Sequence, residues 1–281
     1  MDTKEIDALI RLLDDNDNEV YSHIEGKLLS YGKEVIPFLE DAWGYSFDAT
    51  LQQRIIDIIH KIQFDILKQD LEKWSKGPDP GLLQGALLMA RYQYPDLDEE
   101  KILQQIDKIR RDVWLEMNDN LTALEKVRVM NHIFFEVYGF SGNATNYHAP
   151  QNSFINVVLE TKKGNPLSLS LIYSIVAQQI DIPIYGINLP EHFIVAYMSD
   201  ATPDADVLFY INPFSKGSVF DKKEIDAFLK QLKIPAEKIY YEPCSNVLII
   251  QRLIRNLMYS YKKAGNNDNI DELQQLMDAI S

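Results

Sequence analysis

The sequence predicts an α+β protein that is mostly helical. Apolar residues recur at three- and four-residue spacing along most of the first 138 residues and again after residue 222, as in amphipathic helices. Between these parts, three segments rich in Ile, Val, Tyr and Phe follow one another at 183–188, 192–198 and 206–212. We therefore expect helical segments at both ends of the chain and a core of helix and antiparallel sheet between them.

The first 76 residues carry a repeat of apolar residues. Ile6, Val35 and Phe64 lie 29 residues apart, and a second apolar set three residues further on keeps the same interval. Helix pairs that repeat at about 30–40 residues are typical of solenoids. Residues 9–39 resemble a HEAT repeat, so we expect a HEAT-like α-solenoid over 1–76. An ordinary small helical bundle is the alternative, because isolated solenoids usually need three or more repeats.

A turn-rich segment follows this repeat. The sequence SKGPDPG at 75–81 concentrates Gly and Pro and predicts a domain boundary. Further helices are predicted at 82–92, 99–118, 121–138, 154–162, 222–231, 247–263 and 270–280. The last two resemble one tetratricopeptide unit. The predicted domains are HEAT-like repeats over 1–76, a core over 80–221 and tetratricopeptide-like helices over 222–281.

Charge and cysteine content exclude several classes of protein. The chain has 28 basic and 42 acidic residues, which gives a net charge of −14. We expect no nucleic-acid ligand, because such binding places Lys and Arg against phosphates. The single cysteine excludes a disulfide framework or a thiolate zinc site within the chain and suits a reducing cytoplasm.

The sequence predicts no targeting or membrane segment. Residues 1–5 have no basic region followed by an apolar core, so we expect no secretory signal. The most apolar stretch, 167–177, has about half of the roughly 20 residues that a membrane helix needs. We expect a cytoplasmic protein that does not bind membranes.

A central helix is predicted at 167–180. Asn165 is a favourable N-cap, and Pro166 suits the first helical turn, where its missing N–H is not needed. Apolar residues fall on nearly every face, which is typical of a helix buried within a core. We expect the strands that follow to cover it.

The predicted hairpin brings a histidine close to an asparagine. If the hairpin is symmetric about Thr202, His192 lies directly opposite Asn212, and opposed side chains point to the same face about 4.5–5.5 Å apart. A slip of one residue would separate the two onto different faces.

Together these elements match the layout of a thiol acyl-transfer site. In such sites the nucleophile lies at a helix N-terminus, where the dipole lowers the thiol pKa, while a His accepts the proton and a third residue orients the ring. Here His192 and Asn212 supply the base and the orienting group. The predicted helix start supplies no thiol.

Three stretches, in the same order, resemble the transglutaminase-like family named after the bacterial protein SirB1. They are ALLMARYQYPDLD at 86–98, the segment 134–197 and YINPF at 210–214. The resemblance covers about residues 80–281. It implies a transglutaminase-like (papain-like) core with a buried central helix against an antiparallel sheet.

The wider transglutaminase-like superfamily uses Cys, His and Asp in that chain order. The resemblance puts Pro166 at the Cys position, two residues after Gly164, and His192 at the His position. It puts Asn212 at the Asp position, because this chain reads NPF where the family resembles DPF. Two of the three catalytic positions are altered, although an amide can still orient an imidazole.

Ser168 is the alternative nucleophile. It lies about 3 Å beyond residue 166 along the helix axis and about 200° around it, so it reaches His192 only if the helix start is irregular. Cys244 follows both partners in the sequence and is expected to be a small buried residue.

A polar loop at 143–153 precedes the central helix and is expected to line the cleft. The predicted cleft-lining residues are Asn165, Pro166, Asn152 and His148. A metal site from His148, His192 and a carboxylate would need convergence that no local spacing provides. We expect neither a metal nor a cofactor, and we expect structural roles for His23, His60 and His132.

Three functions remain open at this point. The first is a degenerate, non-catalytic transglutaminase-like domain that binds or regulates a protein or peptide partner recruited by the helical repeats. The second is an amide or ester hydrolase or acyltransferase with Ser168 as nucleophile, His192 as base and Asn212 as its orienting residue. The third is an assembly scaffold in which the cleft is a remnant.

Overall fold

The computed structural model describes residues 3–15, 17–202 and 205–281. The chain divides into two compact units, Met1–Asp70 and Leu71–Ser281. Among the helices within these described ranges, none combines the length and apolar content that crossing a bilayer requires.

The first unit is helical and has its own core. Its helices are α1 (Thr3–Arg11), α2 (Asn18–Ser30), α3 (Ile36–Tyr45) and α4 (Ala49–Ser75), which continues past the division. Ile6 and Val35 of the predicted repeat are buried in this core, and Arg54 donates to the carbonyl oxygens of Leu13 and Asp15 at 2.6 and 2.7 Å. The backbone at Leu13 and Asp15 is thereby bound to α4.

The second unit contains the remaining helices. They are α5 (Leu82–Gln93), α6 (Glu99–Glu116), α7 (Ala123–Asn131), α8 (Ile155–Thr161), α9 (Pro166–Gln178), α10 (Lys222–Leu232), α11 (Asn246–Ala264) and α12 (Asn267–Ala279). The single helix predicted at 121–138 is observed as α7 followed by a π-helical turn, His132–Val137.

Two sheets accompany these helices. A two-residue parallel pair joins β1 (Ser141–Gly142) to β2 (Lys163–Gly164). The larger, antiparallel sheet has the order β3-β4-β5-β6. Its strands are β3 (Ile184–Leu189), β4 (His192–Met198), β5 (Val207–Asn212) and β6 (Ser218–Phe220). The three predicted strands are present, and β6 is an additional strand that the sequence pattern did not indicate.

The predicted register between β4 and β5 was wrong by two residues. Val195 pairs with Ile211, so Asn212 stands diagonal to His192 and not directly opposite. The pairing shifts between Tyr197 and Met198, and this irregularity makes the hairpin asymmetric about Thr202. Because the side-chain period of a strand is two, an even shift leaves both side chains on the same face.

Helix α9 lies inside the second unit. Every residue from Pro166 to Ala177 is buried, and the helix contacts β3 and β4 as well as α5, α6 and α8. The prediction of a buried central helix that packs against an antiparallel sheet is confirmed. This packing holds the N-terminus of α9 in place.

Candidate functional site

A cleft of about 490 Å³ opens at the N-terminus of α9. Its lining comes from the loop before α8, the start of α9, the β3–β4 hairpin and one face of α11. The lining residues are Tyr147, His148, Asn165, Pro166, Leu167, Glu191, His192, Phe193, Arg252, Asn256, Tyr259 and Ser260. Four predicted site residues, Asn165, Pro166, His148 and His192, therefore share one cleft.

The start of α9 is closed by a capping box. The Ser168 N–H donates to Asn165 Oδ1 at 2.9 Å, and the Asn165 N–H donates to Ser168 Oγ at 3.0 Å. The Ser168 hydroxyl donates in turn to the Asn165 carbonyl oxygen at 3.3 Å, and its side chain is buried. The Ser168 hydroxyl is thus part of the helix cap and does not line the cleft.

Gly164 makes room for this cap. A Cβ atom at Gly164 would lie 2.7 Å from Ser168 Oγ and 3.0 Å from Leu169 Cγ, closer than side chains tolerate. The glycine before the helix therefore has a packing role, since only a residue without a side chain lets β2 pass this close to α9.

His192 and Asn212 are in contact, as the sequence predicted, although the strand pairing that brings them together differs from the predicted one by two residues. Asn212 Nδ2 lies 3.1 Å from His192 Nε2. Asn212 Oδ1 accepts the N–H groups of Phe214 and Ser215 at 3.1 and 3.3 Å. These two donors fix the direction of the amide, so its NH₂ group donates to His192 Nε2.

The imidazole consequently has one defined neutral form. With Nε2 as an acceptor, the ring proton of neutral His192 resides on Nδ1. Burial lowers the pKa of His192 below its ordinary value, which favours this neutral form at pH 7.

Asn152 stabilises the loop that contributes Tyr147 and His148 to the cleft. Its side chain is buried and donates to the carbonyl oxygens of Asn146 and Tyr147 at 2.7 and 3.1 Å, while it accepts from Asn143 at 2.9 Å. Asn152 itself is outside the lining. It holds the backbone that brings Tyr147 and His148 to the cleft.

Cys244 lies away from the cleft, against the sheet. Its Sγ is 3.3 Å from the Gly186 carbonyl oxygen, which also accepts the Cys244 N–H at 2.9 Å. Burial raises the pKa of the thiol to about 12, so the sulfur stays protonated. This arrangement suits a structural cysteine.

One face of α11 supplies cleft residues that sequence reasoning missed. They are Arg252, Asn256 four residues later, and the adjacent pair Tyr259 and Ser260 three and four residues after Asn256. Arg252 Nη1 donates to Asn188 Oδ1 at 3.2 Å and to the Leu189 carbonyl oxygen at 3.4 Å. The helix is amphipathic and has further polar residues outside the cleft, so its sequence pattern alone did not mark these positions.

His148 contacts a lysine side chain. Lys263 Nζ lies 3.0 Å from His148 Nε2 and 4.8 Å from the centre of the Tyr259 ring. Among the residues that the structure describes, no three His, Cys, Asp or Glu side chains converge as a metal site would require. The ammonium donates to Nε2, so the lone pair of that ring nitrogen is already used.

Comparison with known proteins gives this geometry a family context. The sequence profile described as "Transglutaminase-like superfamily" matches residues 100–255, more than half of the chain. A UPF0162 protein of Xylella fastidiosa (strain 9a5c) is 30% identical over 209 residues, covering 71% of this chain and 70% of that protein. The UPF0162 protein PA3419 of Pseudomonas aeruginosa is 28% identical over 188 residues, covering 66% and 67%.

A human relative matches about half of this chain. F-box only protein 21 of Homo sapiens is 29% identical over 151 residues, which is 53% of this chain and 23% of that protein. No solved structure gives a significant match. The profile match spans α9 and the β3–β4 hairpin, and it covers more than half of the chain. The chain therefore belongs to the transglutaminase-like superfamily.

Proposed function

We propose that this protein is a non-catalytic, SirB1-like member of its superfamily whose cleft binds a protein or peptide partner. The observation that carries the proposal is the start of α9, where Pro166 faces the cleft and the Ser168 hydroxyl is closed into the helix cap. A proline side chain has no nucleophilic atom. A capped, buried serine has neither exposure nor a base to activate it.

The direction of the Asn212 amide supports the same proposal. A general base needs a free lone pair facing its proton donor. In His192 the Nε2 lone pair accepts from Asn212, and Nδ1 carries the proton. Replacing the orienting Asp by Asn in a serine-protease triad costs about 10⁴-fold in kcat for this reason, since the imidazole is held in the wrong tautomer.

The flanking helices fit a binding role. We propose that the N-terminal helices act as HEAT-like repeats and that α11 and α12 act as a tetratricopeptide-like pair, both of which are architectures for protein contact. We propose a cytoplasmic location, which agrees with a chain whose single cysteine cannot form an internal disulfide.

Chemical labelling separates a binding module from an enzyme. We expect a fluorophosphonate probe to give no adduct at Ser168 when the intact protein is digested and analysed by mass spectrometry. Stoichiometric labelling at Ser168 that disappears in His192→Ala would overturn the proposal in favour of the hydrolase or acyltransferase alternative.

Photo-crosslinking tests whether the cleft is the binding surface. A photoreactive amino acid at Tyr259, which is 52% exposed at the cleft, should capture a discrete partner in cells of the native host. The matched control is the same residue at Trp114, which is 59% exposed on α6 outside the cleft lining. Equal capture from both positions would argue against the cleft.

A further inference from the structure

The face of α11 within the cleft is rich in hydrogen-bond donors. Arg252, Asn256, Tyr259 and Ser260 line the cleft, and Lys263 lies one turn further along the helix, bound to His148. Glu191 is the one acidic residue of the lining, and it is exposed in the β3–β4 turn. The lining thus has one acidic and one basic residue, Glu191 and Arg252, and does not share the acidic excess of a chain with a net charge of −14.

Arg252 lines this cleft, and its hydrogen bonds within the described residues use only one of its three nitrogens. A guanidinium offers five N–H groups in a planar fork. The hydrogen bonds of Arg252 to Asn188 and Leu189 both use Nη1, and both acceptors are uncharged. Within the described ranges, no carboxylate oxygen lies within 4 Å of its nitrogens, although the chain has 42 acidic residues.

A half-buried cation without a counter-ion is energetically costly. Burial lowers the pKa of Arg252 from its ordinary value, which reflects the loss of solvation of its charge. An anion that enters the cleft would restore the interaction that this charge lacks, through the fork geometry that guanidinium shares with carboxylates.

We propose that the cleft recognises a carboxylate group of a peptide and that Arg252 is the residue that binds it. This inference rests on the proposed binding function and specifies its ligand. A carboxylate is favoured over a phosphate because a single guanidinium matches a monoanion, while Glu191 and the acidic chain repel a more highly charged group. A volume of about 490 Å³ suits one or two peptide residues.

The carboxylate can come from a peptide C-terminus or from an Asp or Glu side chain. Three acetylated probes distinguish these sources: triglycine with a free C-terminus, triglycine amide, and Gly-Glu-Gly amide. Each is titrated into the intact, ¹⁵N-labelled protein and followed by TROSY NMR. We expect one of the two carboxylate peptides to shift resonances of residues 252–260 and to bind at least about tenfold more tightly than triglycine amide, as a charge-assisted hydrogen bond predicts.

Variants on α11 assign the effect to one side chain. Arg252→Gln should reduce carboxylate binding at least about tenfold, whereas Arg255→Gln, a change three residues away at an exposed position, should leave it unchanged. Arg252→Lys retains the charge without the fork and should give an intermediate loss. It also serves as the test if Arg252→Gln fails to fold.

Several outcomes would overturn the carboxylate proposal. The first is that triglycine amide binds as tightly as the carboxylate peptides. The second is that Arg255→Gln reduces carboxylate binding as much as Arg252→Gln does. The third is that none of the three probes binds. Equal binding of the amide would leave the proposed binding function intact, because the cleft would still accept peptides. The photo-crosslinking experiment tests that function independently of these probes.

Discussion

At the scale of single residues, the amide at position 212 favours one protonation state of His192. The amide is held by two backbone N–H groups and donates to the ring. We predict that Asn212→Asp raises the pKa of His192 above its ordinary value of about 6.5, because a carboxylate oxygen would face Nε2 and stabilise the imidazolium. NMR titration of the His192 ring resonances in the intact protein measures this shift.

The same substitution changes how stability depends on pH. In the natural chain the pKa of His192 is lowered on folding, so this group destabilises the fold as pH falls through the ordinary range of histidine. In Asn212→Asp the raised pKa contributes stability that is present at low pH and is lost as pH rises through the folded-state value. Asn212→Ala is the control, and its His192 pKa should remain lowered because the ring stays buried. A raised pKa in that control would contradict the explanation.

At the scale of secondary structure, we predict opposite effects on the free energy of unfolding for alanine substitutions at two serines of α9. Ser168 completes the capping box, so Ser168→Ala should lower the free energy of unfolding by about 1 kcal/mol. Ser174 lies 1% exposed on the same helix, and its hydroxyl has no hydrogen-bond partner among the described residues. Ser174→Ala should therefore be neutral or stabilising by up to about 1 kcal/mol. Urea unfolding of both variants gives the comparison, and equal destabilisation would contradict the capping assignment.

The N-terminus of α9 also predicts how an introduced thiol would behave. In Pro166→Cys combined with Asn212→Asp, the helix dipole and the imidazolium form of His192, stabilised by the introduced carboxylate, should lower the pKa of the new thiol below about 8.5. Cys244 is the internal control, since burial raises its pKa to about 12. We expect iodoacetamide at pH 7 to alkylate the introduced thiol at least about 100-fold faster than Cys244. Similar rates for the two thiols would show that position 166 does not correspond to a nucleophile position.

At the scale of the whole molecule, local patterns were predictable and long-range placement was not. The bounds of β4 and the cap of α9 follow from apolar runs and from Asn165, which are properties of adjacent residues. The short strand β6 has too few residues for a periodic signal. Arg252 lines the cleft because α11 packs against β3, which lies some 60 residues earlier in the chain. Contacts between residues so far apart in the sequence produce no local sequence pattern.

The division of the chain at Asp70 and Leu71 leads to a prediction about Trp74, which the sequence assigned to the N-terminal repeats over 1–76. Trp74 is 5% exposed, donates to the Gly81 carbonyl oxygen at 3.0 Å and lies so close to Gly85 that a Cβ there would be 2.6 Å from its ring. Trp74→Ala should lower the free energy of unfolding of the second unit by about 3–5 kcal/mol, as for other buried tryptophans. Hydrogen exchange of α9 peptides should accelerate at least about 100-fold, while peptides of α2 keep their protection. Trp114→Ala, at an exposed position, should change neither, and loss of protection in α2 alone would assign Trp74 to the N-terminal helices instead.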